Sequence, residues 1–249
     1  MLISIFMRKF IVKITISLLS LFVYTSSIYG KETLVFSKSN DPVANISEEV
    51  LKEAYERIGI TITTLVLPAE RSLRMSNFGT TDGEINRIDG IENTYSNLKK
   101  VAVSVNILEG IVFTKDLKIK ITDWNSLKPY KIGIRRGSKF AERGTKGMRV
   151  ETVTSNEQLF RMLNNGRNDI VVTTRLEGLN QINRLQLKEV FIIEPPLVTL
   201  NLYHYLHKKN LHLLPKIESV LHKMESEGRI KIIRQKIIDN LIKKSKKYE

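Results

Sequence analysis

From Thr33 onward the chain alternates between two kinds of segment, and this alternation limits the folds open to it. Short runs rich in β-branched residues are predicted strands: Thr33–Ser37, Ile60–Leu67, Thr81–Ile85, Lys131–Ile134, Val150–Val153, Ile170–Thr173 and Val190–Ile193. Ala102–Thr114 is long enough for one or two strands, and Val198–Leu206 reads as extended. Between them lie stretches with apolar residues every three or four positions, such as Ile46, Val50, Ala54 and Ile58, stopped by Gly59. Pro68 opens another helix, and Ser155 caps one that carries Leu159, Met162 and Leu163. A further helix begins near Arg175, one runs through Ile217, Leu221 and Met224, and an amphipathic helix spans about Ile230 to Ile242. Strands that alternate with helices build parallel α/β sheets with helices on their faces. Two such blocks, roughly 31–108 and 115–194, precede a largely helical C-terminus. The expected organisation is two lobes, 31–108 plus 198–249 and 109–197, with crossings near Ile107–Gly110 and Glu194–Leu197. Pro195-Pro196 is expected to stiffen the second crossing.

The first 30 residues do not belong to this pattern. Arg8, Lys9 and Lys13 form a basic leader without acids, an apolar run covers Ile14–Tyr24, and small residues lead to Gly30. That order reads as a secretory signal peptide, and the apolar run is shorter than the ~20 residues a membrane span needs. Met7 offers an alternative start. The expected location is the periplasm. The remaining 219 residues can bury a core that needs no disulfide, in keeping with the absence of cysteine. The formal net charge is +14, and residues 228–249 concentrate eight Lys/Arg against two acids. Without an aromatic-basic cluster and with an export leader, nucleic acid is not the expected partner. The basic tail reads as a solvated helix face with at most weak attraction to anionic membranes.

In open α/β sheets, ligands lie beyond the carboxyl ends of the strands. Polar residues expected there are Asn40 (with Ser39 and Asp41), Arg71, Arg87, Ser138, and Thr174 with Arg175. Converging arginines and a helix N-terminus at Ser138 imply an anionic group, held by a bidentate fork. Arg87, placed just past the strand Thr81–Ile85, is expected to hold it, with Arg71 flanking and Ser138 closing from the other lobe. Loss of Arg87 is expected to cost binding but little stability, on the premise that an open cleft hydrates its guanidinium. Glu84 and Glu109 are the candidates to receive an ammonium group. His204, His207 and His212 do not read as a metal site, since positions i and i+3 of an extended segment face opposite sides. No nucleophile–base constellation is recognisable, so no catalytic residue, metal or cofactor is expected.

The stretch LPAERSLRMSNFGTTDGEINRIDGIENTYSNLKKVAVSV (67–105) resembles a branch of the family 3 extracellular solute-binding proteins, the polar amino-acid binders of ABC importers. The matching features are Pro-Ala-Glu-Arg, Gly-x-x-Asp-Gly-Glu-x-x-Arg and Tyr-x-Asn-Leu. KIGIRRGSKF (131–140), SNEQLFRMLNNGRNDIVV (155–172) and HKMESEGRIKII (222–233) are similar to later segments of that family, in the same order. The resemblance implies a two-lobed periplasmic binding protein type II clamshell with two hinge crossings. It also implies a monomer that captures a small polar solute for a membrane ABC permease. The chain departs from the family at two positions. Thr94 stands where an arginine clamps the α-carboxylate, and Thr174 stands where an aspartate holds the α-ammonium. An ordinary α-amino acid is therefore not the expected ligand. The alternatives on this fold are a periplasmic dehydratase resembling the cyclohexadienyl type, with Glu84 or Glu109 as proton donor, and a sensory partner of a membrane receptor.

Overall fold

A computed structural model describes residues 33–116 and 118–246, with side chains to Asn240. The leader read in residues 1–30 lies outside the described residues. Eight strands form one mixed sheet in the order β2-β1-β3-β8-β4-β7-β5-β6. At one end, β1 (Thr33–Lys38) pairs in parallel with β2 (Thr61–Val66) and β3 (Gly83–Ile88). At the other, β5 (Ile132–Arg135) pairs in parallel with β6 (Val150–Val153) and β7 (Ile170–Thr174). Two antiparallel 17-residue strands join the ends: β4 (Leu98–Thr114) and β8 (Phe191–His207). Each belongs to the first half of the sheet at one end and to the second half at the other. Hence Leu206 and Val101 pack with Phe36 and Tyr55, whereas Phe113 and Ile111 pack with Phe160 and Val171.

Three sequence expectations change. The strand read as Thr81–Ile85 is Gly83–Ile88, because Asp82 is held in the approach to it: its carboxylate accepts the Val35 N–H at 2.7 Å. Arg87 therefore sits inside β3, opposite Tyr203, rather than past its end. The register with β8 slips between Glu84 and Arg87, a bulge that re-aims side chains. The possible strand pair at 102–114 is one strand starting at Leu98. The two segments around the prolines are likewise one strand. The pairing jumps from Gly110↔Val198 to Val112↔Ile193, so Glu194–Leu197 bulge outward with Pro195-Pro196 among them. A bulge is where a sheet tolerates residues without an N–H. Ile107–Gly110 thus pair with Val198–Asn201.

The helices follow the apolar periodicity. Helix α1 (Pro42–Glu56) is capped by Asp41, whose carboxylate accepts the Ala44 N–H at 2.8 Å, and it buries Ile46, Val50 and Ala54. The others are α2 (Ala69–Asn77), α3 (Lys139–Gly144), α4 (Asn156–Asn164), α5 (Arg175–Leu185), α6 (Leu214–Ser226) and α7 (Arg229–Lys246). No helix among the described residues is long and apolar enough to cross a membrane.

Candidate functional site

A cleft with about 470 Å³ of empty space opens where the two halves of the sheet face each other. Arg87 and Asn86 of β3 line one wall, and Arg135, Ser138, Lys139 and Thr174 line the other. Arg135, Ser138, Lys139 and Thr174 sit at strand ends or helix starts, the positions at which a parallel sheet presents side chains to a ligand, whereas Asn86 and Arg87 reach the cleft from within β3 at its bulge.

Arg87 is only 9% exposed, and Glu84 behind it is fully buried. Glu84 Oε1 accepts hydrogen bonds from the hydroxyls of Ser37 (3.0 Å), Ser76 (3.1 Å) and Ser72, while Oε2 accepts from Arg87 Nε at 2.8 Å. Arg87 Nη2 donates to the Ala69 carbonyl at 3.1 Å. Its other terminal nitrogen has no protein partner among the described residues, and the side chain borders the cleft. This arrangement corrects the expectation of a hydrated guanidinium: Arg87 is the counter-ion of a buried carboxylate.

Ser138 precedes α3 and makes no side-chain capping bond, which leaves its hydroxyl to the cleft. Thr174 caps α5, its hydroxyl accepting the Glu177 N–H at 3.3 Å. Arg87, Ser138 and Thr174 are thus brought to one cleft. The other candidates lie elsewhere. Arg71 is exposed on α2 outside that lining, and Asn40 borders a neighbouring cleft. Arg175 is bound by Glu109 (2.9 Å) and doubly by Glu194 (2.5 and 2.9 Å). Glu84 is buried behind Arg87, Glu109 is held by Arg175, and neither is among the residues lining the cleft. His204 is buried between the Tyr55 hydroxyl (2.9 Å) and the Glu84 carbonyl (2.7 Å). A carbonyl only accepts, so Nδ1 carries the proton and Nε2 accepts from Tyr55. Burial pushes the His204 pKa down to about 4, a core role rather than a ligand role. Among the described residues no cluster of three or more His, Cys, Asp or Glu could hold a metal ion.

Several residues here were not singled out from the sequence, although strand ends were the right place to look. Arg135, the last residue of β5, donates to Asp41 at 3.2 Å across the cleft. Burial alone would raise the Asp41 pKa; the Arg135 charge, the Ser39 hydroxyl (2.5 Å) and the Ala44 N–H outweigh it and hold it low. Lys139 reaches Glu70 of the opposite half at 2.7 Å, and Arg143 donates to the carbonyls of Asp89 and Gly90 at 2.8 and 2.9 Å. The halves are therefore clasped by three charged groups of the second half acting on the first. Thr94, where the resembling family keeps its clamping arginine, is exposed in a turn closed by its N–H to the Ile91 carbonyl at 3.0 Å. The cations at the cleft are instead Arg87, Arg135 and Lys139.

Solved structures with the same fold are known. The sensor domain of a histidine kinase with similarity to periplasmic binding proteins superposes with a TM-score of 0.71 at 16% identity, covering 83% of this chain and 96% of that one. An ancestral arginine-binding protein bound to arginine gives 0.69 at 19% identity, covering 82% and 97%. The substrate-binding protein of an amino acid ABC transporter gives 0.66 at 14% identity, covering 85% and 99%. The chain has the α/β fold of type II periplasmic binding proteins. In sequence, a Shewanella oneidensis protein of uncharacterised function is 28% identical over 218 residues, 82% of this chain and 81% of the relative. No family model matches the chain.

Proposed function

We propose that this chain is an exported solute-binding protein. It captures a small carboxylate-bearing, amino-acid-like solute between its lobes and delivers it to an ABC-type membrane permease. The lobes divide at residues 108/109 and 197/198, residues 1–30 direct export to the periplasm, and the protein works as a monomer without catalysis. The observation that carries this reading is Arg87. Its guanidinium is fixed by Glu84 and the Ala69 carbonyl, retains an uncommitted terminal nitrogen, and faces Ser138 and Thr174 across the cleft. A guanidinium held in place before the ligand arrives loses little entropy on binding, and its free nitrogen offers N–H donors and a positive charge to a carboxylate.

The test is a thermal-shift screen of the purified mature protein against acidic amino acids and dicarboxylates. A ligand at 100 times its Kd should stabilise by about 2.7 kcal/mol. Calorimetry on Arg87→Lys then probes the contact. Lysine keeps a charge for Glu84 but cannot also bond the Ala69 carbonyl and present a donor to the ligand in the guanidinium plane, so affinity should fall about tenfold or more. A panel without any acidic binder, or unchanged affinity in Arg87→Lys, refutes the reading. N-terminal sequencing of periplasmic extract should find a start between about residues 26 and 33.

A further inference from the structure

The C-terminal helix α7 carries a face that the solute cleft does not use. Ile233 is buried, and Ile230 and Ile237 pack beside it against the core around Tyr55, Leu221 and Met224. Arg229 Nε donates to both carboxylate oxygens of Glu53, at 3.0 and 2.9 Å. These contacts fix which side of the helix faces out. With 3.6 residues per turn, the side opposite the three isoleucines carries Lys231, Ile232, Gln235, Lys236 and Asp239, all of them exposed. Lys231 and Lys236 have no carboxylate in ion-pair contact among the described residues, and Asp239 accepts from Gln235 Nε2 at 2.8 Å instead. Ile232, one position after Lys231 and one turn before Lys236, is 54% exposed. The helix sequence continues with Lys243, Lys244 and Lys246, and residues 228–249 hold eight Lys/Arg against two acids.

We propose that this face docks on an anionic lipid surface, with Lys231 and Lys236 against the headgroups and Ile232 entering the interface. Charge complementarity alone would also suit an acidic peptide, and Ile232 decides between the two. A bilayer offers negative charge with an apolar layer beneath it, so lysine ammoniums stay at the phosphates while an isoleucine goes deeper. Each lysine near an anionic leaflet raises partition about fivefold, and salt screens the effect. The result is reversible attraction rather than an anchor. The inference goes beyond solute capture and does not depend on it. Where both hold, the attraction concentrates the loaded protein at the surface in which a permease sits.

The experiment co-sediments the purified mature protein, without solute, with vesicles of phosphatidylcholine and phosphatidylglycerol in equal parts and with vesicles of phosphatidylcholine alone. Binding to the anionic vesicles should saturate at about 50 mM NaCl and fall at least about tenfold at about 500 mM, and phosphatidylcholine alone should bind none. Lys231→Gln and Lys236→Gln should each weaken binding about fivefold. The same change at Lys118 and Lys128, exposed between β4 and β5, should alter it less than about twofold, since neither belongs to the docking face. Ile232→Ser keeps every charge and should weaken binding about threefold through the apolar surface lost. Absence of binding to the anionic vesicles, equal binding to both kinds, or indifference to salt overturns the proposal. Equal losses in the Lys118, Lys128 and α7 variants overturn the assignment to this face. Binding that Ile232→Ser leaves unchanged points to an acidic peptide or another polyanion and overturns the lipid assignment.

Discussion

Each half of the sheet holds one deeply buried glutamate, and their surroundings differ. Around Glu84 both carboxylate oxygens have donors: three serine hydroxyls on one and Arg87 on the other. Around Glu177 one oxygen has Gln181 and the other has no donor. The first is a closed network, charge-balanced within the protein. The second has an acceptor to spare. A satisfied buried network rigidifies its surroundings, and a partly satisfied one is where an outside partner or a strained state is to be found. The difference leaves the first half with a network that fixes Arg87 and the second with a carboxylate only partly satisfied.

The comparison breaks most visibly if either network loses a partner. Arg87→Ala strands the Glu84 carboxylate in the core, and removing one member of a buried ion pair costs about 3–5 kcal/mol. Urea unfolding of the unliganded protein should show that loss. Glu177→Gln removes a charge with no counter-ion in hydrogen-bond contact and should cause no comparable loss. If Arg87→Ala is as stable as the parent, the Glu84 network is not a rigid frame.

Acidity sharpens the same contrast, because the two halves respond to pH in opposite directions. His204 sits in the first network and has a pKa of about 4, lowered by burial. The unfolded chain, with an ordinary His pKa near 6.5, binds the extra proton, so His204 lowers stability as pH falls from about 6.5 to 4. Glu177 is pushed up to about 7, first by burial and then by the Asp41 charge, with Gln181, Arg135 and the Asn156 side chain partly offsetting. There the folded state binds the extra proton, so stability is lost as pH rises from about 4.5 to 7. Each shift corresponds to on the order of 3 kcal/mol over its range, and across pH 4.5–6.5 the two slopes oppose. Relative to the parent, His204→Gln should gain stability as pH falls, and Glu177→Gln should gain it as pH rises. Denaturant midpoints at pH 4.5, 5.5, 6.5 and 7.5 decide the matter; parallel profiles for the two variants defeat it.

How much of this was legible in the sequence follows from what each signal depends on. The alternation of strand and helix segments is a local property, and it places every strand block within a few residues. The merging of β4 and β8 into through-going strands depends on pairing between residues nearly one hundred positions apart, such as Asn106 with Leu202, which no local pattern records. Arg87 was legible because an arginine near a strand end is conspicuous; its ion pair was not, since Ser37, Ser72 and Ser76 come from two other elements. Arg71 and Ser72 differ by one position, yet one is exposed and the other buried, because a step along a helix turns the side chain by about 100°. Glu177 was hidden by its own context. Thr174-x-x-Glu177 has the spacing of a capping box, which reads as a helix start with its acid bonded back to the cap. Thr174 does cap the helix, but the carboxylate turns inward to Gln181.

The smallest expected effect on stability comes from the place where the halves touch. Gly137 has φ +82°, and a Cβ added there would lie 2.4 Å from the Glu70 backbone nitrogen and 2.8 Å from the Ala69 carbonyl carbon of the opposite half. Those are backbone atoms at the start of α2, so neither can swing away. Gly137→Ala costs about 1–2 kcal/mol for the left-handed backbone, and the steric conflict is relieved by moving the halves apart. Separation breaks Asp41–Arg135 and Glu70–Lys139, but water solvates those charges, so little further stability is lost. The consequence for binding is larger than that for folding, because Ser138 and Thr174 no longer reach toward Arg87. Small-angle scattering should show a larger radius of gyration than the parent, and glutarate affinity should fall while denaturant midpoints shift only modestly. An unchanged radius with unchanged affinity means that Glu70 and Ala69 yield to a methyl group and that Gly137 does not set the approach of the two halves of the sheet.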